Sequence, residues 1–174
     1  MGPAPDQAGV QRTLRAHPHL AAARGAIHGR YLSPCRHSHD ADISGGYILQ
    51  IDRPTPTSAE SDNSKFFNSL SSIHDARPIT FLYEYPKSNK ITEQQKSYIQ
   101  DYINSFEQAL LSENFEDANT GYQRWIDIDS FIDFFILTEL SKNVDGYRLS
   151  TFLHKEKGEK LKIGPIWDFK NKLI

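Results

Sequence analysis

Two aspartates near the C-terminus, Asp145 and Asp168, stand 23 residues apart and are the carboxylates whose setting best suits chemistry. Phosphoryl transfer asks for little covalent help from a protein. One carboxylate orients the attacking hydroxyl or accepts its proton, and another holds a divalent cation against the phosphates. Two aspartates meet that minimum. Ser150, five residues after Asp145, offers a neutral oxygen to the same neighbourhood, and Asn143, two residues before it, either joins the site or shapes the turn. Taken singly, Asp145 equally fits a helix-end turn, and Asp168 beside Trp167 fits a satisfied structural carboxylate. Cys35, His37 and His39 carry zinc-type ligands. Alternate-residue ligands with no second cluster to close a tetrahedral site are more often incidental.

The elements that must position these residues are legible from about Ile43 onward. The run Gly45-Gly46-Tyr47-Ile48-Leu49-Gln50-Ile51-Asp52 is rich in strand formers and stops before Pro54, which predicts a strand. Polar residues then predict a loop to about Asn68. Ile79-Thr80-Phe81-Leu82-Tyr83-Glu84-Tyr85, closed by Pro86, predicts a mostly buried second strand. Thr92 followed by Gln95 is a capping-box signature. Beyond it Ile99, Tyr102, Ile103, Phe106 and Leu110 recur at helical spacing, with Glu93, Lys96 and Asp101 on the water side. Asp127 caps a further helix in which Ile128, Phe131, Ile132, Phe134, Phe135, Ile136, Leu137 and Leu140 cover most of the circumference. That distribution predicts a helix buried in the middle of the domain. Asn143-Val144-Asp145-Gly146 follows, and Gly146 is expected to end the helical region through a positive φ. Ser150-Thr151-Phe152-Leu153-His154 and Leu161-Lys162-Ile163 flank a turn containing Gly158 and predict a β-hairpin. The two aspartates thus lie at the two ends of one hairpin, each just outside a regular element, where both can approach a common point.

Length and composition bound the rest. At 174 residues the chain suits one domain or part of one. A net charge of -2 gives no basic footprint for nucleic acid, and no stretch of about 18 apolar residues predicts a membrane span. The N-terminus lacks the pattern of a secretory signal. Cys35, the single cysteine, cannot form an internal disulfide. Residues 1–42 hold five Arg, no Lys and no Asn, whereas afterwards Lys outnumbers Arg by eleven to four. Pro3, Pro5, Pro18 and Pro34 interrupt this first part, which shows no sustained periodicity. The shift predicts a poorly ordered leader over residues 1–42, either an artefact of the gene or a natural low-complexity segment, followed by a folded region over residues 43–174.

The folded region resembles the spore-coat-protein-H-like (CotH) kinases, a family of atypical protein kinases, over residues 43–169. The carriers are Gly45-Gly46-Tyr47-Ile48 with Asp52, the helix start Ile126-Asp127-Ile128-Asp129-Ser130-Phe131-Ile132-Asp133, Glu139-Leu140 with Asn143 and Asp145, Ser150, and Gly164-Pro165-Ile166-Trp167-Asp168-Phe169. In protein kinases the catalytic base is followed five residues later by a metal-binding amide and, past a short hairpin, by the metal aspartate. The resemblance implies an α+β, partial protein-kinase-like fold, mainly its C-terminal lobe. It implies transfer of phosphate from ATP to serines of a protein substrate, with Mg2+ or another divalent metal. Asp145 matches the catalytic aspartate and Asp168 the metal ligand, with Asn143 and Ser150 on the cofactor side.

Two departures accompany the resemblance. Lys170 stands where the family usually has Asp or Asn after Trp-Asp-Phe, and residues 1–42 do not resemble the half of the family domain that grips ATP. Both favour a domain truncated at its two ends and inactive alone. The competing expectation is a surface or spore-coat protein that keeps the fold for assembly or adhesion without turnover.

Overall fold

A computed structural model describes residues 42–54, 63–70 and 78–165. Among the described residues the architecture is α+β: a five-stranded antiparallel sheet with two long helices. The strands are β1 (Tyr47–Ile51), β2 (Phe66–Asn68), β3 (Thr80–Tyr85), β4 (Thr151–Lys155) and β5 (Leu161–Ile163), in the spatial order β2-β3-β1-β4-β5. The helices are α1 (Glu93–Leu111) and α2 (Ile128–Leu140).

β1 sits at the centre because both its edges are occupied. It pairs with β3 on one side, through Leu49↔Tyr83 and Ile51↔Phe81, and with β4 on the other, from Tyr47↔Lys155 to Ile51↔Thr151. The pleat sends Tyr47 and Leu49 of β1, Phe81 and Tyr83 of β3, Leu153 of β4 and Leu161 of β5 into one core. Ile99 and Ile103 of α1 complete that core at 0% and 1% exposure, as the three-and-four spacing of the helix requires. The capping box forms as its sequence implies, with Thr92 Oγ1 accepting from the Gln95 amide and Gln95 Oε1 from the Thr92 amide. Tyrosines on the helix then fasten it to the sheet's periphery: Tyr98 donates to the Ser44 carbonyl and Tyr102 to the Trp125 carbonyl.

The start of β1 is docked on the β4–β5 hairpin by close contact. A Cβ on Gly45 would lie 2.1 Å from both the Glu156 carbonyl carbon and the Lys157 nitrogen, so only glycine fits. The Gly46 amide donates to the Lys155 carbonyl. Lys155 itself is 2% exposed. Its ammonium donates to the carbonyls of Ser44 and Glu159 and lies 4.6 Å from the Tyr102 ring centroid, a set of partners that answers the cost of burying a charge. That burial still lowers the Lys155 pKa, with Asp42 and Glu159 opposing the shift.

Three expectations need correction. The polar stretch before Asn68 contains a strand, β2, which exists because three residues pair with β3 and Phe67 stacks on Phe81 at 5.1 Å. Three residues are too few for alternation to show in a sequence. Gly146 has no positive φ; Lys142, at φ 52, makes the left-handed step after α2. Glycine is needed at 146 for space, since a Cβ there would meet Thr138 Cγ2 at 2.7 Å. Finally, α2 is not buried all round. Phe134 and Thr138 are buried, but Ile132, Phe135, Ile136 and Leu140 are exposed, the last at 74%. The end of α1 likewise leaves Leu110 exposed.

The Gly45 contact predicts that Gly45→Ala destabilises the chain by about 2–4 kcal/mol in urea titration, because the added carbon meets backbone. Gly158→Ala, at φ 69 with open space around it, should cost only about 1 kcal/mol. Equal effects would show that the close approach is not maintained.

Candidate functional site

The loop of residues 143–150 joins α2 to β4 and carries three of the four residues singled out from the sequence. Its start is fixed by α2. The Asn143 amide donates to the Thr138 carbonyl and the Ser141 hydroxyl donates to the same carbonyl. Its middle is a tight turn in which the amides of Arg148 and Leu149 both donate to the Asp145 carbonyl, at 3.1 and 2.9 Å. Its far end is closed by Thr151, whose hydroxyl donates to the Gly146 carbonyl at 2.8 Å.

α2 is in turn held at its beginning by β5. Asp127 caps it, with Oδ1 accepting from the Ser130 amide, and the Asp127 amide donates to the Leu161 carbonyl. The Ile163 amide donates to Ser130 Oγ. Helix, loop and hairpin therefore form a closed circuit, which is the device that gives residues of the loop fixed positions.

Within it, the Asp145 carboxylate lies at the surface, its side chain 41% exposed, and Oδ1 accepts from Arg148 Nη2 at 2.9 Å. Arg148 is itself 63% exposed, so the pair is screened and weakly held. Asn143 is buried at 8%, and its Nδ2 lies 3.1 Å from where a Gly146 Cβ would stand, which makes it part of the loop's packing. Ser150 occupies the left-handed region at φ 51, an uncommon conformation for a residue with a side chain. Both its amide and its hydroxyl face Asp52 Oδ2, at 3.2 and 3.4 Å. Asp168 lies outside the described residues, as do Cys35, His37, His39, Trp167 and Phe169.

Two participants were not singled out for the site. Tyr147 donates to Glu139 Oε1 at 2.7 Å and its ring meets Phe134 and Phe135 at 6.2 and 6.4 Å, clamping the loop to α2. Burial and the Glu139 carboxylate push its phenol up to about 12. Asp52 was noted only as part of a motif. The strand register was the signal that places it, since Asp52 follows the last β1–β4 pair, Ile51↔Thr151, and so meets Ser150.

Asp145 and Ser150 supply oxygens on one loop, but among the described residues no three of His, Cys, Asp and Glu gather to hold a metal ion. No helix among the described residues is long and apolar enough to cross a membrane.

On the sheet face away from the helices, Ile48, Tyr85 and Phe152 form a second small apolar cluster. His154 shares that face, in register with Ile48 and Lys162. Its Nδ1 is wholly buried, with no hydrogen-bond partner among the described residues. Burial first, and the Lys162 charge second, lower its pKa from 6.5 to about 4.

Comparison with known proteins adds one finding. A family model described as CotH kinase protein matches residues 34–173, extending beyond residues 43–169 on both sides. Neither the curated proteins nor the solved structures gave a match.

The depressed His154 pKa predicts an acid-sensitive fold. Between about pH 6.5 and 4 the unfolded chain binds a proton that the folded chain does not, so stability falls as pH falls through that window, by about 2–3 kcal/mol at pH 4.5 relative to pH 7. Urea titrations at both pH values should show this loss diminished by the same amount in His154→Leu. Parallel losses in the two proteins would contradict it.

Proposed function

The chain belongs to the CotH kinase protein family, and from that premise we propose that its domain transfers phosphate from ATP to serine hydroxyls of a protein substrate. The observation that carries this reading is the placement of Asp145: a surface carboxylate at 41% exposure on a loop tied at both ends. A base must be held still and be reachable by the proton it takes.

In the proposed step the serine oxygen attacks the γ-phosphorus while its proton passes to the Asp145 carboxylate. The bond from phosphorus to the bridging oxygen breaks, and ADP leaves with that electron pair. The weak surface pair with Arg148 yields to the entering serine at little cost. Asp168 is assigned the divalent metal, which when bound neutralises charge on the phosphate oxygens. Asn143 and Ser150 lie on the cofactor side. Ser150 presents a neutral oxygen, and Asn143 acts through the shape of the loop, given its burial. Residues 1–33 lie outside the family match, and the 174 residues alone are proposed to be a poor catalyst.

A second reading, an assembly or adhesion role without turnover, is favoured by one observation: the exposed apolar row Ile132, Phe135, Ile136 and Leu140 on α2, which the chemistry does not use. The readings separate in a phosphotransfer assay of the intact gene product with Mg2+ and labelled ATP. Asp145→Ala and Asp168→Ala should each lower transfer by about 10²–10⁴-fold. Variants as active as the wild type would remove both assignments, and an inactive wild type would favour assembly.

A further inference from the structure

We propose that Asp52 is a positioning residue for Asp145, acting through Ser150; this rests on the reading of Asp145 as the base. The β1–β4 ladder runs in register to Ile51↔Thr151. One step further stand Asp52 and Ser150, and there the ladder stops, because Ser150 turns into the left-handed region at φ 51. In that conformation the Ser150 amide finds its acceptor in a side chain, Asp52 Oδ2 at 3.2 Å, with the Ser150 hydroxyl at 3.4 Å from the same oxygen.

Asp52 is itself oriented. Gln50 Nε2 donates to Oδ2 at 2.9 Å, and the Arg53 amide donates to Oδ1 at 2.7 Å. A carboxylate with both oxygens engaged in this way holds a fixed direction, and hydrogen bonds to a charged acceptor are the stronger kind.

The consequence falls on the residues just before Ser150. The amides of Arg148 and Leu149 close the turn onto the Asp145 carbonyl, and Thr151 returns a bond to Gly146. The left-handed step at Ser150 is the joint between that turn and β4. A residue with a Cβ relaxes out of the left-handed region unless something holds it, and Asp52 is the group that does. Release of Ser150 would let the turn open and the Asp145 carboxylate wander, without touching the sheet core that α1 covers. The tether spans a sequence separation of 98 residues, so the start of the chain's sheet sets the geometry of the loop near its end.

Glycine adopts positive φ with no side-chain penalty, which supplies the decisive test. Amide hydrogen exchange on the 174-residue chain should show about 10-fold faster exchange at Arg148 and Leu149 in Asp52→Ala, with the amides of α1 unchanged. Asp52→Asn, which keeps an acceptor oxygen, should resemble the wild type. Asp52→Ala combined with Ser150→Gly should return Arg148 and Leu149 towards wild-type rates. In the intact gene product, Asp52→Ala should lower kcat about 10-fold, and Asp52→Asn should keep kcat near the wild-type value. Unchanged exchange in Asp52→Ala, or acceleration spread equally through α1, would overturn the tether. A tether confirmed by exchange with kcat unaffected would overturn its role in positioning. Confirmed exchange in a protein that transfers no phosphate would overturn the kinase reading and leave the tether standing.

Discussion

The structure depends on the pairing of β1 with β4. These strands lie about a hundred residues apart in sequence, and their five consecutive pairs make β1 a central strand instead of an edge. Three further contacts exist only because that register is kept. Gly45 lies against the Glu156–Lys157 peptide, Lys155 reaches the Ser44 carbonyl, and Asp52 meets Ser150. A slip of one residue would turn Tyr47 and Leu49 away from the core and Lys155 out of its place beside Tyr102. Burial, close contact and the loop geometry therefore specify the same register, the agreement between levels expected of a sequence with one native fold.

That pairing also explains how a surface carboxylate acquires a fixed position. Asp145 lies on a loop, where backbone freedom is ordinarily greatest. Here α2 is anchored to β5 through Ser130 and Asp127, the loop is clamped to α2 through Tyr147, and its exit is fixed where β4 begins. None of these contacts touches the carboxylate itself, which stays partly exposed. Rigid elements supply the precision and the loop supplies access, the division of labour expected of a functional site.

Much of this was legible in the sequence. β1, β3, the hairpin of β4 and β5, and both helix starts follow from side-chain pattern and capping residues, which are local signals. Thr92 with Gln95 and Asp127 with Ser130 form the caps that their spacing implies. What escaped was non-local. β2 is defined by its partner strand; the need for glycine at 146 comes from Thr138 across a turn; the Tyr147 clamp depends on where α2 ends. The α2 reading failed for a different reason. Its apolar residues encircle the helix, but the described part of the fold covers only one side, and a pattern cannot say how many neighbours a face receives. Of the site, Asn143, Asp145 and Ser150 are brought onto one loop, while the place of Asp168 rests on the family's pattern. Asp52 shows how register adds to motif: the sequence marked it, and only the ladder says which residue it meets.

The central claim is that this domain moves the terminal phosphoryl group of ATP to a serine hydroxyl. The most direct measurement follows the label itself, by incubating the intact gene product and a protein acceptor with ATP carrying 18O in the γ-phosphoryl oxygens, then locating the label by mass spectrometry. Labelled phosphoserine on the acceptor is the expected result. Label found only in inorganic phosphate, or remaining wholly in ATP, would contradict it.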